Sequence, residues 1–167
     1  MQVWRVLVAA LVLPFGAQAQ AQEAQEPRRL EGAVQGFLDV LAQEGPDASF
    51  ALFNERLRGI VPREEWHAMR GGQTETFGAL GPLSAHSFDT REGDAARVFV
   101  SFSGTYGGAD DPVCGLVIWS APEGEEPLVG GIYLNFLPMD RVSLMPDAQL
   151  AQLEQQARCP AGLLSPG

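Results

Sequence analysis

The chain has 167 residues, enough for one domain and little more, and 46% of them are hydrophobic, enough for a sizeable core. Its formal net charge is −10, it contains no lysine, and no basic cluster reverses the balance locally. Such a surface excludes a nucleic-acid partner and disfavours anionic lipid.

In chain order, Met1 to Arg5 supplies one positive charge, Val6 to Phe15 an apolar stretch, and Ala17-Gln18-Ala19 a small-residue cleavage site. That anatomy predicts a secretory signal peptide over residues 1–19. Its removal leaves 148 residues and takes the charge to −11, because Arg5 goes with it. The apolar stretch is shorter than the about 20 residues a spanning helix needs, and no later stretch is long enough, so no stable membrane insertion is expected. Residues 20–29, rich in Gln, Ala and Glu without apolar periodicity, read as a flexible lead-in. Export to the periplasm or beyond is the expected localisation.

A first helix is predicted from Leu30 to about Ala42, where Leu30, Val34, Phe37, Leu38 and Leu41 recur at intervals of three and four. Gly45-Pro46 stops it. Asp47 is positioned to cap a short second helix carrying Phe50, Phe53 and Leu57. Pro62 suits the first position of a third helix. Trp66, Met69, Phe77 and Leu80 keep helical spacing across Gly71-Gly72, which predicts a helix kinked at the glycines and reaching about Ala79. Gly81-Pro82 then turns the chain into the first strand.

Four strands follow. Leu83 to Thr90 precedes the turn signal Arg91-Glu92-Gly93-Asp94, and Arg97 to Tyr106 alternates so that Val98, Val100, Phe102 and Tyr106 share one dry face. Cys114 to Ser120 and Leu128 to Phe136 are apolar at nearly every position, as strands covered on both sides are. The intervening stretches 107–112 and 121–127 are dense in Gly, Asp, Glu and Pro, and short enough for hairpins. Glycines at 104, 115, 130 and 131 mark bends, bulges or close approaches. The prediction is an antiparallel meander with strong curvature. A last helix from about Pro146 to Arg158 presents Leu150, Leu153 and Ala157 and lies on the sheet's edge or outer face. In an oxidising compartment the two cysteines, Cys114 and Cys159, are expected to pair.

Helices followed by a curved meander give an α+β fold, with N-terminal helices packed on a four-stranded antiparallel sheet and a C-terminal helix added. Over about Leu30 to Pro138 this arrangement resembles the nuclear transport factor two-like, or cystatin-like, superfamily. The likeness is closest to exported bacterial domains of unknown function in which a Pro-x-x-x-Trp helix start, here Pro62 to Trp66, runs into a Phe-Gly pair, here Phe77-Gly78. The resemblance implies a cone-shaped domain over 30–138, a helical extension over 139–167, and a pocket between helices and sheet that is open at one end. Fold alone does not give function.

Enzymes of that superfamily place a carboxylate or a His-Asp pair, with tyrosines, inside the cone. Here the titratable candidates are Asp39, His67 and His86, with Tyr106 and Tyr133 as proton donors. Glu64, His67 and Arg70 read more simply as a solvated helix face, and His86 as a surface imidazole on an outer strand. No cofactor motif occurs: phosphate loop, dinucleotide fingerprint and nucleophile elbow are all missing, and Ser103-Gly104 lies in a strand pattern without a basic partner nearby. Two histidines about twenty residues apart give no metal-ligand spacing, and Asp110-Asp111 reads as a turn.

The pocket-lining candidates are therefore Trp66, Phe77, Phe102, Tyr106, Tyr133 and Asn135. The favoured expectation is a non-catalytic binding module for a small apolar molecule or a protein partner. The alternatives are a small isomerase- or lyase-like enzyme, and a homodimer burying an exposed sheet face around Trp119.

Overall fold

The structure, a computed structural model, describes residues 31–91, 96–107, 111–121 and 126–164. The expected leader and lead-in, and the tips of the three hairpins, lie outside the described residues. The fold is α+β. A first helix, α1, occupies 31–43. It is followed by α2 (Pro46–Ala51), α3 (Glu55–Ile60), α4 (Arg63–Phe77), then β1 (Leu80–Arg91), β2 (Ala96–Tyr106), β3 (Asp111–Ala121) and β4 (Leu128–Phe136), and finally α5 (Met139–Val142) and α6 (Asp147–Ala157). The four strands form one antiparallel sheet in the order β1-β2-β3-β4, the meander expected.

Alternation along the strands separates the core into two layers. On the inward face Val98, Val100, Phe102 and Tyr106 of β2 join Val113, Val117 and Trp119 of β3, and share one cluster with Val34, Phe37, Leu38 and Leu41 of α1 and with Leu57 and Trp66. Each large apolar side chain so buried stabilises the fold by roughly 1.5–3 kcal/mol. Cys114, one residue out of phase with Val113, faces the other way. There it clusters with Leu137, Val142, Leu150 and Leu164, which brings α5, α6 and the C-terminal tail onto the outward face. Cys114 and Cys159 are disulfide-bonded, with Cα atoms 5.2 Å apart.

Three local features depart from the periodic reading. The expected second helix is two helices, because Leu52–Asn54 leaves helical geometry to bridge β4: Asn54 N–H donates to the Val129 carbonyl and Val129 N–H to the Leu52 carbonyl, each at 2.9 Å. Asn54, whose Oδ1 accepts from Leu57 N–H at 2.8 Å, then caps α3. Asp47 is not a cap; Gly45 holds that position and Asp47 lies in the first turn of α2. The helix predicted to kink at Gly71-Gly72 is helical without a break from Arg63 to Phe77.

A fourth departure sits in β4. Trp119 pairs with Val129 but Ile118 pairs with Gly131, so Gly130 is an extra, bulged residue. A one-residue insertion exchanges faces for everything beyond it. Val129 is therefore inward and fully buried, whereas Ile132, Leu134 and Phe136 replace Gly131, Tyr133 and Asn135 as the residues packed against the inward core.

Candidate functional site

The helix-covered face of the sheet ends in a cluster of aromatic rings built by two close backbone approaches. Gly78, just past α4, and Gly107, just past β2, have φ of 87° and 70° and lie in contact; a Cβ on Gly78 would come within 2.6 Å of Gly107 Cα. Gly107 N–H donates to the Ala79 carbonyl at 2.9 Å. This junction sets Phe77 beside Tyr106, with ring centroids 5.7 Å apart. Phe136 stacks on Phe77 at 4.5 Å and meets Tyr106 edge-on at 5.1 Å. The Phe-Gly pair seen in the sequence is thus the hinge that fixes the cluster, and Phe136 joins it only because of the Gly130 bulge.

Tyr106 carries the polar atom of this cluster. The residue is 5% exposed, and its hydroxyl is buried with no hydrogen-bond partner among the described residues. Burial, followed by the carboxylates of Asp111 and Asp140, pushes its phenol above the ordinary 10.0. Hence it remains a protonated donor at neutral pH, and the adjacent carboxylates make the site unfavourable for an anion. The Trp119 indole N–H, on the same face and packed edge-on against Phe37 at 5.9 Å, is also buried without a partner among the described residues. Leaving a buried donor unpaired costs about 1–3 kcal/mol. Two such donors on one face are therefore chemically informative.

The remaining predicted site residues divide. Phe102 is fully buried on the inward face, opposite Gly115. Trp66 locks helices together: its Nε1–H is shared between the Pro46 carbonyl and Ser49 Oγ, both at 3.1 Å, and its ring meets Phe53 at 5.0 Å. Tyr133 and Asn135 are on the outward face, placed there by the bulge. Asn135 Nδ2 donates to the Ala157 carbonyl at 2.7 Å, tying β4 to the end of α6, and Arg158 lies over the Tyr133 ring at 4.7 Å. Trp119, expected to offer an exposed dimer surface, is 2% exposed.

The acid–base candidates each have a different partner. Asp39 is exposed and accepts a hydrogen bond from Gln35 Nε2. His67 Nε2 lies 2.7 Å from Asp47 Oδ1, which also pairs with Arg63. Those two interactions, Arg63 first, hold the Asp47 carboxyl below the ordinary 3.8. Arg70, expected on the solvated face with His67, is instead buried: its guanidinium donates to the Leu41 carbonyl at the end of α1 and to Gln73 Oε1, and burial lowers its pKa. The α1 terminus needed a donor and Arg70 supplies it. His86 Nε2 is 2.6 Å from Ser103 Oγ on the outward face, a pairing that sequence distance concealed.

Among the described residues no group of three or more His, Cys, Asp or Glu side chains could hold a metal ion, and no helix is long and apolar enough to cross a membrane. Comparison with protein-family models, curated proteins and solved structures finds no match to this chain.

Proposed function

We propose that this protein is an exported, non-catalytic binding module of the nuclear transport factor two-like architecture. In this reading the sheet is curved, the N-terminal helices cover its concave side, and a neutral, largely apolar small molecule with a hydrogen-bond-accepting oxygen binds there. The observation that carries the reading is the buried, unpartnered hydroxyl of Tyr106 at the edge of the Phe77–Phe136 stack. A ligand carbonyl or ether oxygen would complete it, and the rings offer the apolar surround typical of small-molecule sites. The disulfide supports export, since such bonds persist in oxidising compartments. Asp39, His67 and His86, exposed or half-exposed and engaged by three different partners (Gln35, Asp47 and Ser103), favour binding over proton transfer.

Tyr106→Phe tests the reading, because it removes the hydroxyl and keeps the ring. In ligand-free protein, stripped by refolding from denaturant, the variant should be more stable than wild type by about 1 kcal/mol, since an unpaired buried donor has gone. In protein isolated without stripping the order should reverse, the wild type being held by its ligand. A variant less stable than wild type in both preparations would show that the hydroxyl has a partner within the protein, and the reading would fall.

A further inference from the structure

The two edges of the sheet are closed in different ways. At β4 the main chain of Leu52–Asn54 bonds Val129. At β1 a single side chain does comparable work. Gln35 of α1 donates from Nε2 to the Leu83 carbonyl at 2.8 Å and accepts at Oε1 from Ala85 N–H at 3.3 Å. One side-chain amide thus takes both a carbonyl and an N–H of the edge strand, as the N–H and C=O of one residue on a neighbouring parallel strand would. Its orientation is fixed from outside. Nε2 also donates to Asp39 Oδ1 at 3.0 Å, one turn along α1. Asp39 and Leu83 offer only acceptors, so both require the NH2 end, and Ala85 N–H is left facing the oxygen. Immediately beyond, the β1–β2 register shifts between Ala85 and Ser87, a bulge that further spoils the edge as a template.

We infer that Gln35, held in orientation by Asp39, is a clasp that closes the β1 edge of the sheet to strand addition by a second copy of this chain. An edge strand of 12 residues is long enough to pair with another, and the same edge on a second copy presents the matching groups about a two-fold axis. The clasp occupies one carbonyl and one N–H that such an addition would need. It is independent of the proposed ligand, whose anchor lies on the inward face at Tyr106. Asp39 acts through Gln35 and is a positioning residue.

The test compares wild type, Gln35→Ala and Asp39→Ala by amide exchange at Ala85 in dilute solution and by native mass as concentration is raised. Asp39 is exposed, so its variant removes the orienting group without altering the core. For Gln35→Ala the expected result is exchange at Ala85 about tenfold faster than wild type, as for loss of one hydrogen bond, together with a dimer at high concentration in which Ala85 is protected again. Asp39→Ala should shift both readouts in the same direction by less, with wild type monomeric throughout. Exchange at Ala85 unchanged in Gln35→Ala would overturn the inference. So would faster exchange without a dimer, a dimer in which Ala85 stays unprotected, or a wild-type dimer that already protects Ala85.

Discussion

Asp47 shows how one exposed carboxylate can join two helices. It accepts from Arg63 and His67 of α4 while sitting in the first turn of α2, and its lowered pKa means that folding favours the ionised form. A group depressed in this way contributes stability above its unfolded value, and the contribution disappears as pH falls through the folded one. Asp47→Asn should therefore melt below wild type near neutral pH, and the difference should close as the pH is taken below 3.8. A gap of constant size down to strongly acidic pH would mean that the carboxylate's charge is not what matters. Residue identity made Asp47 visible in the sequence, but as a helix cap. Its partners lie 16 and 20 positions away on another helix, and no local pattern records that.

At the level of elements, periodicity identified α1, α4, α6 and all four strands, because each is long enough to repeat its pattern. It failed where one residue changes the phase. The run from Leu128 to Phe136 is apolar on both faces, so nothing in it distinguishes a straight strand from one bulged at Gly130. The pattern therefore offers Tyr133 and Asn135 as pocket-lining, whereas the bulge turns both outward and brings Phe136 to the inward core. Likewise, Phe50, Phe53 and Leu57 keep helical spacing through a segment that the bridge to Val129 pulls out of the helix. Long-range backbone pairing overrode local preference there.

The glycines separate in the same way. Gly71 and Gly72 are exposed within a continuous helix, and a Cβ on either meets nothing within 4 Å. Gly71→Ala and Gly72→Ala should each stabilise the protein by about 1 kcal/mol in denaturant titration; destabilisation would point to a contact or kink that the structure does not contain. Gly115 is the opposite case. A Cβ there would run into the Tyr133 carbonyl and come within 3.0 Å of Phe102 Cζ. Gly115→Ala should cost about 3 kcal/mol, and a neutral result would require that β3 and β4 separate freely.

For the molecule as a whole, the disulfide and the C-terminal layer form a second, smaller core on the outward face. Glu154, 6% exposed, accepts from the backbone N–H of Gly162 and Leu164 and so folds the tail back over α6. The bond between Cys114 and Cys159 spans 45 residues, and loop-closure entropy assigns it about 4 kcal/mol. Cys159→Ser paired with Cys114→Ser should lower unfolding free energy by that order and raise amide exchange in α6 before the inward core; uniform loosening of both layers would contradict the two-core description. Cysteine count and export context were enough to anticipate the bond. The tail's dependence on Glu154 was not legible, since a buried carboxylate satisfied by main-chain donors has no sequence signature.

A small molecule bound at Tyr106, as proposed, should travel with the purified protein. The mass of the purified protein, sprayed under native and then denaturing conditions with wild type beside Tyr106→Phe, reports it. The wild-type native ion should carry a small neutral molecule that denaturation releases, with occupancy in Tyr106→Phe reduced about tenfold for the lost hydrogen bond. A wild-type ion with no added mass, or equal occupancy in the two proteins, would contradict it.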